Sequence, residues 1–295
     1  MSIAIVVHGG AGNIDPARVE TAEQGCKEAA LLGWHVLQAG GSALEAVETA
    51  VQALENNPNY NAGTGACLTS DGRIELDAGV MEGSSLNVGA IAGVELIKNP
   101  IALARKVFDS EHVLLVGKGA QLFAQEQGIA LCTLEELITE RQYAHWKRTQ
   151  AARAEQQSSQ SRHGTVGAVA LDSAGVLASA TSTGGMHNKR PGRVGDSPLV
   201  GSGFYADEHA AISCTGDGED FTRLLIAKRA ADFVAAGMQA RDAAQAAIAV
   251  LGAKARGTGG LIIVDHQSNV GFAWNSAQMA HAYLYGDMQE PSAGV

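Results

Sequence analysis

Residues 165–171 and 176–183 are two apolar, β-rich runs separated only by the turn-forming stretch Asp172-Ser-Ala-Gly175. Two strands with so short a link form a hairpin and lie antiparallel. This rules out a strict strand–helix–strand alternation, and with it a doubly wound parallel sheet. The helical signals agree, because they come in consecutive pairs. Asp15-Pro16 places a cap and a proline at the start of a helix predicted to run to about residue 38, stopped by Gly40-Gly41. Ser42-Ala-Leu-Glu45 is a capping box for a second helix to about residue 56. Asn99-Pro100 opens another to residue 108, Thr133-Leu-Glu-Glu136 one to about 149, and two more are expected at about 218–236 and 239–252. Further strands are expected at 3–7, 73–77, 87–96, 113–116, 211–215, 260–265 and 270–274. The pattern is an α+β chain, with layers of mostly antiparallel sheet flanked by helix pairs.

Such layers need a core, and the composition supplies one. Of 295 residues, 46% are hydrophobic and 18% charged, whereas aromatics reach only 5% and glycine numbers 36. The core is therefore aliphatic, with backbones in close approach, and a disordered or fibrous chain is excluded. The apolar run at the start lacks a basic region and is short, so no signal peptide is expected, and no run of 18 apolar residues suggests a membrane span. A formal charge of −10, with basic clusters no longer than Lys147-Arg148 and Lys228-Arg229, argues against nucleic-acid or membrane partners. Cys26, Cys67, Cys132 and Cys214 form no C-x-x-C pair, so neither a zinc site nor a redox motif is indicated. A soluble, reduced, cytoplasmic protein is the expectation.

Residues 150–163 differ from everything around them. They contain four Gln and three Ser, with no aromatic and no aliphatic larger than Ala. Too little apolar surface is present to order them strongly, so 150–164 reads as a flexible linker. Either it is a plain surface link, or the chain is cut after Gly164 and Thr165 becomes a new N-terminus. The second reading is chemically coherent. A threonine hydroxyl needs a base beside it, and a free α-amine titrates near 7.7–8, close to what a general base requires. One residue would then carry both nucleophile and base.

Three polar clusters could complete such a site. Thr181-Ser-Thr183-Gly-Gly ends the strand paired with that of Thr165. Arg190-Pro-Gly-Arg193-Val-Gly-Asp196 sets two cations and a carboxylate in a loop, where Arg193 and Asp196 could clamp a carboxylate and an ammonium, or simply pair at the surface. Cys214-Thr-Gly-Asp-Gly-Glu219 joins a strand to a helix, so Thr215 and Gly216 could supply an oxyanion hole, and Asp217 could cap the helix.

Together with Gly164-Thr-Val-Gly-Ala-Val-Ala-Leu-Asp172 and Asn188-Lys-Arg-Pro-Gly-Arg-Val-Gly-Asp-Ser-Pro198, these blocks resemble the plant-type (type III) L-asparaginase / isoaspartyl peptidase family of N-terminal-nucleophile (Ntn) hydrolases. His8-Gly-Gly-Ala-Gly12, Tyr60-Asn-Ala-Gly-Thr-Gly65, Glu75-Leu-Asp-Ala78 and Gly89-Ala-Ile-Ala-Gly93 extend the resemblance through the first half. The resemblance implies one αββα sandwich over residues 1–295, self-cleaved into chains 1–164 and 165–295 that assemble as (αβ)₂. It implies hydrolysis of L-asparagine and β-aspartyl (isoaspartyl) dipeptides. Thr165 would be the nucleophile, with Thr183 supporting it and Asn61 nearby. Arg193 and Asp196 would hold the substrate α-carboxylate and α-ammonium, helped by Gly218, while Thr215 and Gly216 would form the oxyanion hole. It also implies a structural sodium ion held by the backbone carbonyls of Leu54, Glu55, Asn57, Tyr60, Ala62 and Thr64, with no cofactor for catalysis. Asp217 and His187 depart from the family pattern. Asp217 either faces the pocket, where it would disfavour acidic leaving groups, or caps the helix.

Other classes fit less well. The glycine loops at 8–12 and 117–119 complete neither G-x-x-x-x-G-K-[ST] nor G-x-G-x-x-G, so nucleotide binding is weakly supported. There is no G-x-S-x-G for a serine hydrolase. A catalytically silent module is disfavoured because every matched position keeps a competent residue. Within the same fold, the alternative is a glycosylasparaginase-type amidase.

Overall fold

The first strand, β1 (Ala4–Gly12), displays the layering in its own alternation. Ile5 and Val7 pack into one core with the helices, whereas Ala4 and Val6 pack into another against the opposite sheet. Both faces are covered, so residues 4–7 are apolar without alternation. The computed structural model that gives this picture describes residues 2–154 and 164–295.

After β1 come α1 (Val19–Gln38), α2 (Ala43–Asn56), β2 (Leu76–Glu82), β3 (Val88–Val94), α3 (Pro100–Phe108), β4 (Leu114–Val116), α4 (Gly117–Glu126), α5 (Leu134–Leu137) and α6 (Glu140–Ala154). The second half holds β5 (Val166–Leu171), β6 (Leu177–Thr183), β7 (Phe204–Ala206), β8 (Ala210–Gly216), α7 (Gly218–Leu224), α8 (Ile226–Ala235), α9 (Ala240–Lys254), β9 (Gly259–Asp265), β10 (Val270–Trp274), β11 (Gln278–Tyr285) and β12 (Ser292–Gly294). Among the described residues these strands form an eight-stranded sheet, ordered β12-β11-β1-β5-β6-β2-β3-β4, and a four-stranded sheet, ordered β10-β9-β8-β7. All pairings are antiparallel except β3 with β4. Helices α1 to α3 cover the large sheet and α8 and α9 the small one, and a third core lies between the sheets. This is the αββα sandwich that the sequence resemblance implies.

Several local expectations needed correction. The strand read at 73–77 begins instead at Leu76 and runs to Glu82. Its middle residue, Gly79, hid it, because a Cβ there would sit 2.2 Å from the Phe204 ring of the other sheet. The helix expected over 133–149 is two helices, with extended backbone at Ile138 between them. The helix expected over 218–236 breaks at Leu225, which takes a left-handed φ of 50°. Gly117 and Gly119 are not a ligand loop but the first turn of α4. Strands β11 and β12 carried no signal that the sequence reading used.

The linker expectation over 150–164 is corrected at its start. Residues 150–154 belong to α6, and residues 155–163 lie outside the described residues. Side chains spaced four apart fasten this helix to one loop: Gln142 Nε2 donates to Gly65 O (2.6 Å), Trp146 Nε1 to Thr69 O (2.9 Å) and Gln150 Nε2 to Ser70 O (2.7 Å). That spacing is one face of a helix, and polar residues supply it, so hydrophobic periodicity could not reveal it.

Candidate active site

Strand β5 lies between β1 and β6, and Thr165 is the residue just before it. Thr183, last in β6, is therefore brought alongside: the Thr165 hydroxyl donates to Thr183 Oγ1 at 3.2 Å. Thr183 Oγ1 in turn donates to Gly164 O (2.7 Å) and accepts from Gly185 N (2.9 Å). Asn61 completes the arrangement. Its Nδ2 donates to Gly164 O (2.8 Å) and Gly185 O (2.6 Å), and its Oδ1 accepts from Cys67 N (2.7 Å). The carbonyl of the Gly164–Thr165 peptide thus receives two donors, which polarise it where an attacking oxygen would arrive.

A pocket opens at this point, lined by Gly164, Thr165, Thr183, Arg193, Asp196 and Gly216 with Gly185, Gly195 and Ser197. Arg193 presents one edge of its guanidinium to Glu219, with Nε to Oε1 at 2.9 Å and Nη2 to Oε2 at 2.7 Å. Burial works against the Arg193 charge, but the Glu219 hydrogen bonds and the charges of Glu219, Asp196 and Asp77 outweigh it, and its pKa lies above the ordinary value. Gly218 packs behind the pair, and a Cβ there would lie 2.8 Å from Asp196 Oδ1 and 3.1 Å from Arg193 Nη2. Thr215 is buried at the end of β8, its hydroxyl accepting from Ala11 N at 3.3 Å. Gly216 takes a φ of 153° beside Thr258, where a Cβ would meet the Thr258 carbonyl at 2.4 Å.

Asp217 stands at the N-cap position of α7. Its carboxylate accepts from Thr258 N at 2.6 Å, tying the start of α7 to the loop before β9, and it makes no side-chain cap to the helix. His187 packs against His145 of α6, the rings tilted by 33° with centroids 4.0 Å apart. The sequence reading gave no role to Glu219, Gly185 or Ser197. Glu219 stood inside a quoted block, and its spacing to Arg193 could not reveal that the fold brings the two together.

A buried polar chain runs beneath β5. His8 Nε2 lies 3.0 Å from Ser213 Oγ, which lies 2.6 Å from Thr181 Oγ1. Gly167 leaves room for it, since a Cβ there would lie 2.0 Å from Ser213 Oγ. Burial pushes the His8 pKa down to about 3, so the ring is neutral at ordinary pH and provides shape rather than charge.

The 54–64 loop folds back on α2. Leu54 O accepts from Asn57 N (3.2 Å), Glu55 O from Thr64 N (2.9 Å) and Asn57 O from Tyr60 N (3.2 Å). A Cβ at Gly63 would lie 2.7 Å from Glu55 O, and one at Gly65 would lie 2.9 Å from Tyr60 O. Both glycines have positive φ and lack a Cβ that would crowd these carbonyls, a grouping of oxygens that suits a hard monovalent cation.

The Glu55 side chain points elsewhere, its carboxyl accepting from Ile101 N (2.9 Å) and Asn99 Nδ2 (3.2 Å) at the start of α3. Burial raises its pKa from 4.5 to about 8. The folded protein therefore holds this proton between those values while the unfolded chain releases it, so stability falls as pH rises through that window. Glu55→Gln removes the linkage. Urea unfolding at pH 5 and pH 8 should show the variant losing less stability than the parent, by on the order of a few kcal/mol. Equal losses in both would contradict a buried, protonated Glu55.

Residues 1–292 match the family model described as Asparaginase. The chain is 48% identical to the plant-type L-asparaginase of Thermococcus kodakarensis, over 99% of each chain. It is 46% identical to the plant-type L-asparaginase of Pyrococcus horikoshii, over 99% of this chain and 100% of that one. It is also 45% identical to the isoaspartyl peptidase/L-asparaginase of Rattus norvegicus, over 96% of this chain and 86% of the relative.

Proposed function

The chain belongs to the asparaginase family, and from that premise we propose that it is a self-processed amidohydrolase that releases L-aspartate from L-asparagine and from β-aspartyl dipeptides. The observation that carries the reading is the convergence of Thr183 Oγ1 and Asn61 Nδ2 on the Gly164 carbonyl beside the Thr165 hydroxyl.

In the first stage the Thr165 oxygen attacks the Gly164 carbonyl carbon, and its proton passes towards Thr183. Asn61 and Thr183 hold the developing oxyanion. The C–N bond breaks, the nitrogen takes a proton, and an ester joins Gly164 to the Thr165 oxygen. Water hydrolyses that ester, freeing the Gly164 carboxylate and the Thr165 hydroxyl and α-amine. In the second stage the α-amine takes the hydroxyl proton as the oxygen attacks the substrate β-carbonyl. Thr215 and Gly216 donate to the oxyanion, the leaving amine departs with the proton, and a β-aspartyl ester remains. Water, deprotonated by the same amine, releases aspartate. Arg193 and Asp196 hold the α-carboxylate and α-ammonium, which sets the β-carbonyl rather than an α-linked one at the nucleophile. Since Glu219 occupies the Arg193 guanidinium, an incoming carboxylate shares or displaces it.

The proposal includes a sodium ion on the carbonyls of Leu54, Glu55, Asn57, Tyr60, Ala62 and Thr64. Its charge would stiffen the loop that presents Asn61. It also includes pairing of two processed units as (αβ)₂, supported by the exposed Val113, Leu114, Val116 and Leu122 on and beside β4 and α4. Among the described residues no helix is long and apolar enough to cross a membrane, and four free cysteines support a reducing compartment, which we take to be the cytoplasm. The relatives' names favour asparaginase and isoaspartyl peptidase activity over a glycosylasparaginase.

One preparation tests the reading. Mass spectrometry should find chains 1–164 and 165–295, and turnover should be seen with L-asparagine and β-aspartyl-leucine but not with a glycosylated asparagine. Preferred turnover of the glycosylated substrate would move the assignment to the alternative amidase. An active but unsplit chain would refute the mechanism.

A further inference from the structure

Glu75 takes no part in the chemistry above, although it opens the block Glu75-Leu-Asp-Ala78. It stands just ahead of β2 and is 5% exposed. Its carboxylate accepts from Gly192 N with both oxygens, at 2.8 and 3.1 Å. Its main-chain carbonyl accepts from Lys189 Nζ at 2.8 Å, and Lys189 is itself 2% exposed. The turn between these two contacts is closed by Arg193 N donating to Arg190 O at 2.9 Å. Lys189 O accepts from Ser70 N at 2.8 Å, so the near end of the turn is fixed from a second side. A desolvated carboxylate on a backbone N–H is a strong, directional contact, and it falls on the residue immediately before Arg193.

We propose that Glu75 is a positioning residue of the substrate anchor: it grips the 189–192 turn at both ends, so that Arg193 meets the substrate α-carboxylate at a fixed height above Thr165. This rests on the proposed function. In the split protein the grip also joins the two chains, with Glu75 on 1–164 and Arg193 on 165–295. Arg73, whose Nη2 lies 3.9 Å from Glu75 Oε1, provides the nearest countercharge on the outer side. None of the hydrogen bonds of Glu75 reaches Thr165, Thr183 or Asn61, so substrate anchoring and self-cleavage separate cleanly.

The test compares Glu75→Ala and Glu75→Gln with the parent enzyme, reading self-cleavage, KM and kcat for L-asparagine, and competitive inhibition by L-aspartate. Glu75→Ala should still split completely. Its KM and its inhibition constant for L-aspartate should both rise about tenfold, with kcat within about threefold of the parent, because binding rather than chemistry is lost. Glu75→Gln keeps an oxygen acceptor for the Gly192 N–H and should stay within about threefold on every measure. Unchanged KM and inhibition constants in Glu75→Ala overturn the proposal, as does a joint fall of kcat and self-cleavage in both variants. Should Glu75→Ala fail to fold, Lys189→Met decides: it removes the second contact, and a KM that does not rise by about threefold or more overturns the proposal. A parent chain that neither splits nor hydrolyses asparagine defeats the proposed function instead.

Discussion

Replacing Thr165 by alanine is expected to leave one uncut polypeptide of 295 residues with no measurable release of aspartate. Two losses coincide in that variant. The oxygen that attacks Gly164 is gone, so no chain end forms, and the α-amine that serves as base stays locked in an amide. Removing a nucleophile from a covalent mechanism costs on the order of 10⁵-fold or more in kcat. Alanine fits the space, because among the described residues Thr165 makes one side-chain hydrogen bond and stands at the start of a strand held from both sides. Folding should therefore survive, and the uncut variant should show a cooperative thermal unfolding transition. Two chains on a denaturing gel of Thr165→Ala would overturn the assignment.

Thr183→Val removes a hydroxyl while keeping the shape of the side chain. In the parent that hydroxyl accepts from Thr165 and from Gly185 N and donates to Gly164 O, so all its hydrogen-bonding capacity is used. The variant leaves the Gly164 carbonyl with Asn61 as its only donor among those described. Loss of one such oxyanion donor slows a reaction by about 10²–10³-fold. Splitting that is complete in a freshly purified parent should accordingly take days in Thr183→Val, followed as the fraction of intact chain over time. The Gly185 N–H also loses its acceptor, so the Gly184–Gly185 turn should loosen. A variant that splits at the parental rate would show that Thr183 plays no part in polarising the carbonyl.

Much of this site was legible because its parts are carried by local chemistry. The hairpin from 165 to 183 follows from four turn residues between two apolar runs, and it alone sets Thr183 beside Thr165. Arg193, Asp196 and Gly216 line the pocket with them, each from a segment whose composition marked it as polar and turn-rich. What escaped depends on contacts distant in sequence. Glu75 reaches Gly192 across 117 residues, a distance at which no periodicity speaks. Asp217 was read through the helix that follows it, yet a loop 41 residues away supplies its donor. Tertiary packing also overrode local preference at Leu225, where the backbone adopts a conformation that its residue type rarely takes, and at Gly79, where a weak strand former is required by the ring above it.

The strand order of the large sheet carries a consequence for how the molecule must be made. Segments from before residue 164 supply β1, β2, β3 and β4, and segments after it supply β5, β6, β11 and β12, and the two sets interleave across the sheet. If the chain is cut as proposed, the halves would stay interlocked by hydrogen bonds on several seams, like the fingers of clasped hands. If they are ever pulled apart, recovery is no longer the collapse of a single thread but an encounter between two partners, with the translational entropy of both to overcome. In the proposed scheme assembly must therefore precede scission, and a split enzyme, once denatured, would have no unimolecular way back.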